Sequence, residues 1–157
     1  MDITGNTILI TGGGTGIGRG LAEALHARGN RVIVAGRRAE PLEEVARAHS
    51  GMATALLDVA DASAIAPFAA RVAADHPELN VVIHNAGIMR AEDMAADGYD
   101  ASDAEAIIAT NLLGPIRLTA ALLPHLKSRP RAWIVTVSSG LAFVPLVATI
   151  ASASDVP

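Results

Sequence analysis

Residues 7–18 read TILITGGGTGIG, and this stretch decides the fold. An apolar run at residues 8–10 leads directly into a glycine cluster, after which an amphipathic helical pattern begins. Glycine lets the chain turn sharply after a buried strand and lets the backbone approach a ligand closely. The free N–H groups and the positive end of the following helix then form a site for phosphate. We therefore expect a nucleotide-binding unit here, with a purely structural turn as the alternative.

The composition narrows the class of protein. The chain has 157 residues, of which 51% are hydrophobic, and this is sufficient for one domain with a buried core. A net charge of −4 and an aromatic content of 3% argue against a nucleic-acid partner. Because the chain has no cysteine and its histidines lack metal-ligand spacing, we expect neither a disulfide nor a metal site. No signal-peptide pattern precedes the first strand, so we expect a cytoplasmic location.

The uncharged stretch at residues 132–154 is long enough to suggest a membrane span. It contains Ser138, Ser139, Gly140 and Pro145, which favour a buried strand followed by an apolar loop. We therefore expect no membrane partner.

Short apolar runs alternate with helical patterns along the rest of the chain. Five runs predict strands, at residues 7–11, 31–36, 52–57, 81–85 and 133–138. Because these runs are continuously apolar, both faces of each strand are expected to be covered, as in a parallel sheet. The sequence therefore predicts an α/β fold of the Rossmann type, a doubly wound parallel sheet with strand order 3-2-1-4-5. Ser102 and Glu105 form a capping-box pattern, which predicts the start of a long helix that ends near Lys127.

Five signatures follow one another in the order and spacing of a known family. They are T-G-x-x-x-G-x-G from Thr11 to Gly18, Asp58-Val59, Asn85-Ala86-Gly87, Asn111, and Ser138-Ser139. On these residues the chain resembles the short-chain dehydrogenase/reductase family. Thr15 stands where the extended branch has glycine, so the resemblance is to the single-domain TGxxxGxG branch, and the run SSGLAFVPL is similar to its DltE-like members. The resemblance predicts an incomplete dinucleotide-binding domain at residues 1–149 and a tail unlike the family at residues 150–157.

The resemblance implies a set of cofactor-binding residues. They are Thr11, Gly12, Thr15, Gly16, Ile17, Gly18, Arg37, Arg38, Asp58, Val59, Asn85, Ala86 and Gly87. Within this set, the Asp58 carboxylate would accept from the adenine amino group, and the Val59 amide would donate to the adenine ring. The alternative for Asp58 is a helix cap, for which Asp61 is the better candidate. The family usually has asparagine at the position of His84, a mild departure.

The charge at the end of the second strand favours NADP over NAD as the cofactor. An acidic residue there would bind the ribose 2′-hydroxyl of NAD, but the chain has Gly36, followed by Arg37 and Arg38. Arginine presents a planar fork that suits phosphate, so we expect NADP, with NAD as the alternative. The two arginines could otherwise be a solvated pair at the start of a helix.

Two residues are candidates for a catalytic role. Pro115 has no N–H, which would leave the carbonyl of Asn111 free inside an otherwise regular helix. The resemblance implies that this carbonyl holds a water of the proton relay, whereas an ordinary proline kink would explain the same pattern. The resemblance also makes Ser139 the serine that polarises the substrate.

The acid–base pair of the family, Y-x-x-x-K, is not found in this sequence. The resemblance places it at positions 152 and 156, which are Ser152 and Val156. The single tyrosine and single lysine of the chain are Tyr99 and Lys127, so no register restores the pair. A serine hydroxyl is too weak an acid to replace a tyrosine whose pKa a lysine lowers.

These patterns predict an NAD(P)-dependent oxidoreductase that moves hydride between nicotinamide and a small alcohol or carbonyl substrate, with impaired activity. The alternative is a catalytically inactive dinucleotide-binding module or a truncated gene product, with a frameshift or early stop after Ala148. Without the later strands and helices of the family, the fifth strand would be an open edge. We therefore expect a homo-oligomer, or a partner chain that covers that edge.

Overall fold

A computed structural model of the protein describes residues 3–90 and 100–139. Five parallel strands form one sheet in the order β3-β2-β1-β4-β5, which confirms the predicted doubly wound sheet. The elements are β1 (Thr7–Thr11), α1 (Gly16–His26), β2 (Arg31–Gly36), α2 (Ala39–Ala48), β3 (Ala53–Leu56), α3 (Ala62–Asp75), β4 (Leu79–His84), α4 (Ser102–Ile108), a π-helical turn (Ala109–Leu113), α5 (Gly114–Lys127) and β5 (Trp133–Thr136).

The sheet is covered on both faces because its central strands are apolar on both sides. Ile8 and Ile10 of β1 point to a core shared with α1 and α2. Leu9, between them, points to a second core that contains Phe68 of α3 and Leu118 of α5. Since every residue of β1 is buried, its continuous apolar run is explained by two cores rather than one.

Three asparagines join the amino-terminal ends of the central strands. The Asn30 Oδ1 atom accepts from the backbone N–H of Asn6 at 2.9 Å, and the Asn80 Oδ1 atom accepts from the backbone N–H of Thr7 at 2.9 Å. The Asn80 Nδ2 atom also donates to the Asn6 Oδ1 atom at 3.0 Å. These bonds fix β1 relative to its neighbours at the end of the sheet opposite to the strand carboxyl ends.

Several predicted boundaries need correction. The third strand is shorter than predicted, the fourth runs from Leu79 to His84, and the fifth ends at Thr136. The capping box is wrong: Ser102 is the first helical residue, and its N–H donates to the Asp100 Oδ1 atom at 2.9 Å. The Asp100 carboxylate therefore accepts from the N–H group that the pattern assigned to the Glu105 side chain.

The helical segment Ser102–Lys127, called the long helix below, has the predicted extent. By length and composition alone it could cross a membrane. One side of its α5 part is buried, with Leu118, Leu122 and Leu126 in the core that also contains α3 residues. These three leucines pack the α5 part of the long helix against the core that lies on one face of the sheet. The predictions for Tyr99 and for residues 140–157 lie outside the described residues.

Candidate functional site

A cleft of about 400 Å³ opens at the carboxyl ends of β1 to β4. Its walls are formed by Thr11, Gly12, Gly14, Thr15, Ile17, Ala35, Gly36, Arg37, Arg38, Pro41, Leu42, Leu57, Asp58, Val59, Asn85, Ala86, Gly87, Ile88 and Thr110. The strand order reverses between β1 and β4, so this cleft lies at the topological switch point of the sheet. Ligands of open α/β sheets bind at such points.

Most of the predicted cofactor-binding residues lie in these walls. The exceptions are Gly16 and Gly18. Sequence reasoning missed the wall residues Gly14 and Thr110, among others. Gly14 belongs to the glycine cluster that was identified, but Thr110 gave no signal, because its place in the cleft depends on how the long helix packs.

The glycine turn is built by close backbone contacts. Gly12 has a φ of +70°, and a Cβ atom there would lie 2.9 Å from the Cα atom of Ala86. A Cβ atom on Gly18 would lie 2.2 Å from the carbonyl oxygen of Gly12 and 2.4 Å from the Asn85 Nδ2 atom. Gly18 therefore supports the turn from beneath, and its position explains why it does not line the cleft. Gly16 has a φ of +54°, a backbone conformation that favours glycine.

Thr11 and Asn85 join the exits of β1 and β4. The Thr11 hydroxyl accepts from the backbone N–H groups of Asn85 and Ala86, each at 3.1 Å, and donates to the carbonyl of Ile83 at 3.4 Å. The Asn85 side chain donates in return to the carbonyls of Thr11 at 3.1 Å and Gly12 at 3.3 Å. Both side chains therefore hold the floor of the cleft through bonds within the protein.

The amino terminus of α1 is available to an anion. Thr15 precedes the helix, and its side chain forms no capping hydrogen bond. The first turn contains no acidic residue. Since the first N–H groups of a helix have no partner within the helix, this end provides donors and a positive dipole at the cleft.

Arg37 and Arg38 lie at the edge of the cleft, after β2. Both are exposed, and in the part of the chain that the structure describes neither guanidinium forms an ion pair. Gly36, directly before them, places no carboxylate at the end of the strand. This edge of the cleft is therefore positively charged.

The two aspartates after β3 have separate roles. Asp61 caps α3, because its Oδ1 atom accepts from the Ser63 N–H at 2.8 Å. The hydrogen bond from the Ser63 hydroxyl, followed by this backbone bond, lowers the pKa of the Asp61 carboxyl. Asp58 lines the cleft, and its Oδ1 atom accepts from the Ala60 N–H at 2.9 Å. The prediction that Asp61 is the better candidate for the helix cap is confirmed, and the alternative that Asp58 caps this helix is wrong.

Asn111 contacts the loop that follows β4 through its side chain. Its Oδ1 atom accepts from the Ile88 N–H at 2.9 Å, and its Nδ2 atom donates to the Ile88 carbonyl at 2.8 Å. The sequence predicted an otherwise regular helix around Asn111, and this is wrong. Residues 109–113 form the π turn, in which the Gly114 N–H donates to the Ala109 carbonyl. Asn111 itself does not line the cleft. The sequence indicated an irregularity here but not the bonds to Ile88.

Ser139 follows β5 and is exposed. The pairing of β4 with β5 continues past the strand, since the Val137 N–H donates to the His84 carbonyl at 2.8 Å. The structure does not place Ser139 among the residues of the cleft wall.

His84, at the end of β4, is 3% exposed, and its Nε2 atom lies 2.8 Å from the Thr119 hydroxyl of α5. Burial lowers the pKa of this imidazole, because the charged form is poorly solvated there. A neutral His84 therefore joins β4 to the long helix.

Comparisons with known proteins agree with this architecture. A family model described as short chain dehydrogenase matches residues 6–154. The oxidoreductase DltE of Bacillus subtilis is 39% identical in an alignment of 153 positions that covers 93% of this chain and 58% of that protein. A solved short-chain dehydrogenase from Streptomyces avermitilis is 32% identical with a TM-score of 0.78, over 85% of this chain and 49% of that one. Another, from Shigella flexneri and complexed with NADP, is 25% identical with a TM-score of 0.82, over 96% of this chain and 69% of that one. The chain thus spans less than two thirds of the length of DltE.

Proposed function

This chain belongs to the short-chain dehydrogenase family, and from that membership we propose that it binds NADP in preference to NAD in the cleft. The associated reaction is hydride transfer between the nicotinamide and a small alcohol or carbonyl substrate. The observation that carries the choice of cofactor is the exposed pair Arg37 and Arg38 beside Gly36, neither of which forms an ion pair with the residues that the structure describes. The relative from Shigella flexneri, which was solved with NADP, is consistent with this proposal.

The walls of the cleft fit a dinucleotide. A pyrophosphate needs a wall of bare backbone, and the glycine turn provides one, since Gly12 and Gly14 line the cleft without side chains. The amino terminus of α1 would hold the pyrophosphate through its free N–H groups. Arg37 and Arg38 would pair with the 2′-phosphate.

The remaining wall residues would hold the two ends of the cofactor. Asp58 and Val59 would bind the adenine by accepting from its amino group and donating to its ring. Asn85, Ala86 and Gly87 would lie under the nicotinamide ribose, where small residues allow a close approach. When bound, the nicotinamide supplies or accepts the hydride.

The substrate end of the site is proposed on the family pattern. Ser139 would donate a hydrogen bond to the substrate oxygen, and the Asn111 carbonyl would hold a water of the proton relay. The tyrosine and lysine that move the proton in this family are not among these 157 residues in the required spacing. We therefore expect these residues by themselves to bind the cofactor with very slow turnover. A catalytically inactive binding module is the second candidate, favoured by the same observation.

The decisive experiment compares the affinities of the chain for NADPH and NADH. Calorimetric titration should give a lower Kd for NADPH. Replacing both Arg37 and Arg38 by alanine should weaken NADPH about 10- to 100-fold, the effect of losing charge-assisted bonds, and NADH only slightly. Arg47→Ala, in α2 and away from the cleft, is the control.

Two outcomes would contradict the proposal. Equal losses for NADPH and NADH in the double variant would show that the arginines do not read the 2′-phosphate. Absence of binding in the parent chain would remove the dinucleotide function itself. An activity assay with a panel of aldehydes and ketones, in which the oxidation of NADPH is monitored, distinguishes a slow enzyme from a binding module.

We also propose that the protein is cytoplasmic. We further propose that it associates with another chain through the edge of the sheet formed by β5. Among the described strands β5 is at the sheet edge, with Ile134 and Val135 exposed at 44% and 37%. Ile108, Leu112 and Ile116 of the long helix are also exposed. Apolar surface of this kind favours a second copy or a partner chain. A monodisperse monomer in sedimentation velocity, up to high concentration, would contradict this.

A further inference from the structure

The long helix approaches the exit of β3 at one glycine. Gly114 is the first residue of α5, and a Cβ atom built on it would lie 2.7 Å from the carbonyl oxygen of Val59 and 3.0 Å from the Val59 Cβ atom. The nearest atom is backbone, so it cannot swing away as the end of a flexible side chain would. An ordinary van der Waals contact begins near 3.4 Å. A side chain at position 114 would therefore have to displace the helix or the Val59 backbone by roughly 0.5 Å or more.

The backbone conformation does not explain this glycine. Gly114 has φ −56° and ψ −57°, which any residue adopts in a helix. Glycine inside a helix is unfavourable relative to alanine. By contrast, a Cβ atom on Gly20 of α1 would meet nothing within 4 Å. The close approach to Val59 is therefore the structural reason for glycine at position 114.

Val59 connects this contact to the cleft. It is 6% exposed, lines the cleft beside Asp58, and belongs to the segment proposed for adenine. The π turn and Pro115 flank Gly114, and Thr110, within that turn, also lines the cleft. The helix backbone therefore supports the adenine end of the cleft from behind.

We propose that Gly114 is a positioning residue: by letting the long helix contact the Val59 backbone, it fixes the Asp58–Val59 segment where it binds adenine. This inference rests on the proposed dinucleotide function. Gly114 does not touch the ligand, and its effect passes through the Val59 peptide. A methyl group at position 114 should therefore weaken the binding of the adenine half of the cofactor and leave the nicotinamide half unaffected.

The test uses Gly114→Ala with Gly20→Ala as the matched control, since both add one methyl group to a helical glycine. The probes are NADPH, 2′,5′-ADP for the adenine half and reduced nicotinamide mononucleotide for the other half. For Gly114→Ala we expect the Kd of NADPH and of 2′,5′-ADP to rise about tenfold, while the mononucleotide binds as to the parent. A purely structural effect would lower the melting temperature without this selectivity. Equal Kd values for Gly114→Ala and Gly20→Ala would overturn the inference.

A second measurement needs only the parent chain, in case Gly114→Ala fails to fold. In a ¹⁵N-labelled sample, 2′,5′-ADP should shift the amide resonances of Val59 and Gly114 together and leave that of Gly20 in place. A shift at Val59 without one at Gly114 would overturn the inference while leaving the dinucleotide function intact. If 2′,5′-ADP, NADPH and NADH all fail to bind the parent chain, the proposed function fails, and the inference fails with it.

Discussion

The same substitution at two glycines of α1 should change the stability of the protein in opposite directions. Gly18 and Gly20 lie two residues apart in one helix, and each would gain a single methyl group on replacement by alanine. At Gly18 the new Cβ atom would lie 2.2 Å from the Gly12 carbonyl oxygen and 2.4 Å from the Asn85 Nδ2 atom. At Gly20 it would point into open space.

The magnitudes follow from these surroundings. Alanine is favoured over glycine inside a helix by about 0.5–1 kcal/mol, and Gly20→Ala should gain that amount. Gly18→Ala gains the same amount but has to displace the backbone of the turn, and overpacking of a close-packed site costs about 1–3 kcal/mol or more. Because the new Cβ atom would lie only 2.2 Å from the Gly12 carbonyl oxygen, the cost of Gly18→Ala lies at the upper end of that range. We expect a net loss of about 2 kcal/mol for Gly18→Ala, and a difference of about 3 kcal/mol between the two variants.

Urea unfolding, followed by far-ultraviolet circular dichroism, measures this difference directly. Several protein concentrations should be used, so that any self-association is recognised from a concentration-dependent midpoint. Free energies of unfolding within about 0.5 kcal/mol of each other for the two variants would refute the reasoning that Gly18 supports the turn by close contact. A large loss for Gly20→Ala would refute it as well.

Three further perturbations test the bonds around the cleft. Thr11→Val removes the acceptor of two backbone N–H groups and should lower the free energy of unfolding by about 2–3 kcal/mol, whereas Thr11→Ser should lose much less. Because burial lowers the folded-state pKa of His84 below its unfolded value, its contribution to stability is complete above about pH 6.5 and decreases as the pH falls toward the folded-state pKa. His84→Asn should therefore flatten the pH dependence of unfolding below pH 6.5 by up to about 1 kcal/mol per pH unit, and an unchanged slope would contradict the role of burial. Asn111→Leu removes both bonds to Ile88, so hydrogen exchange at the Ile88 amide should accelerate about tenfold, and protection equal to the parent would contradict the contact.

The sequence predicted the strands from local signals, and their order followed from the doubly wound fold class that these signals indicate. The apolar runs are continuous, the glycine turn lies directly after β1, and the connections have the length of strand–helix–strand units. Asp61 could also be assigned as the cap of α3 from its place before the helix. Such features depend on a few neighbouring residues.

Contacts between distant segments could not be predicted in this way. Gly18 was expected to bind cofactor, but its neighbours include Asn85, which is brought to it only by the pairing of β1 with β4. The capping box failed because Asp100, outside the four-residue pattern, accepts from the Ser102 N–H, which the pattern gives to the Glu105 side chain. The π turn could not be predicted because it depends on how the whole long helix packs. Pro115 was the one feature of the sequence that indicated an irregularity there.

The bonds of Thr11 and Asn85 have a consequence for the kinetics of association. Because these side chains hold the exits of β1 and β4 to one another, the glycine turn has its shape before any ligand arrives. A ligand that meets a preorganised surface does not wait for a slow rearrangement and loses little freedom in ordering it. Stopped-flow mixing with NADPH should therefore give a single phase whose rate rises linearly with ligand concentration, and the residence time should be set by how quickly the ligand leaves.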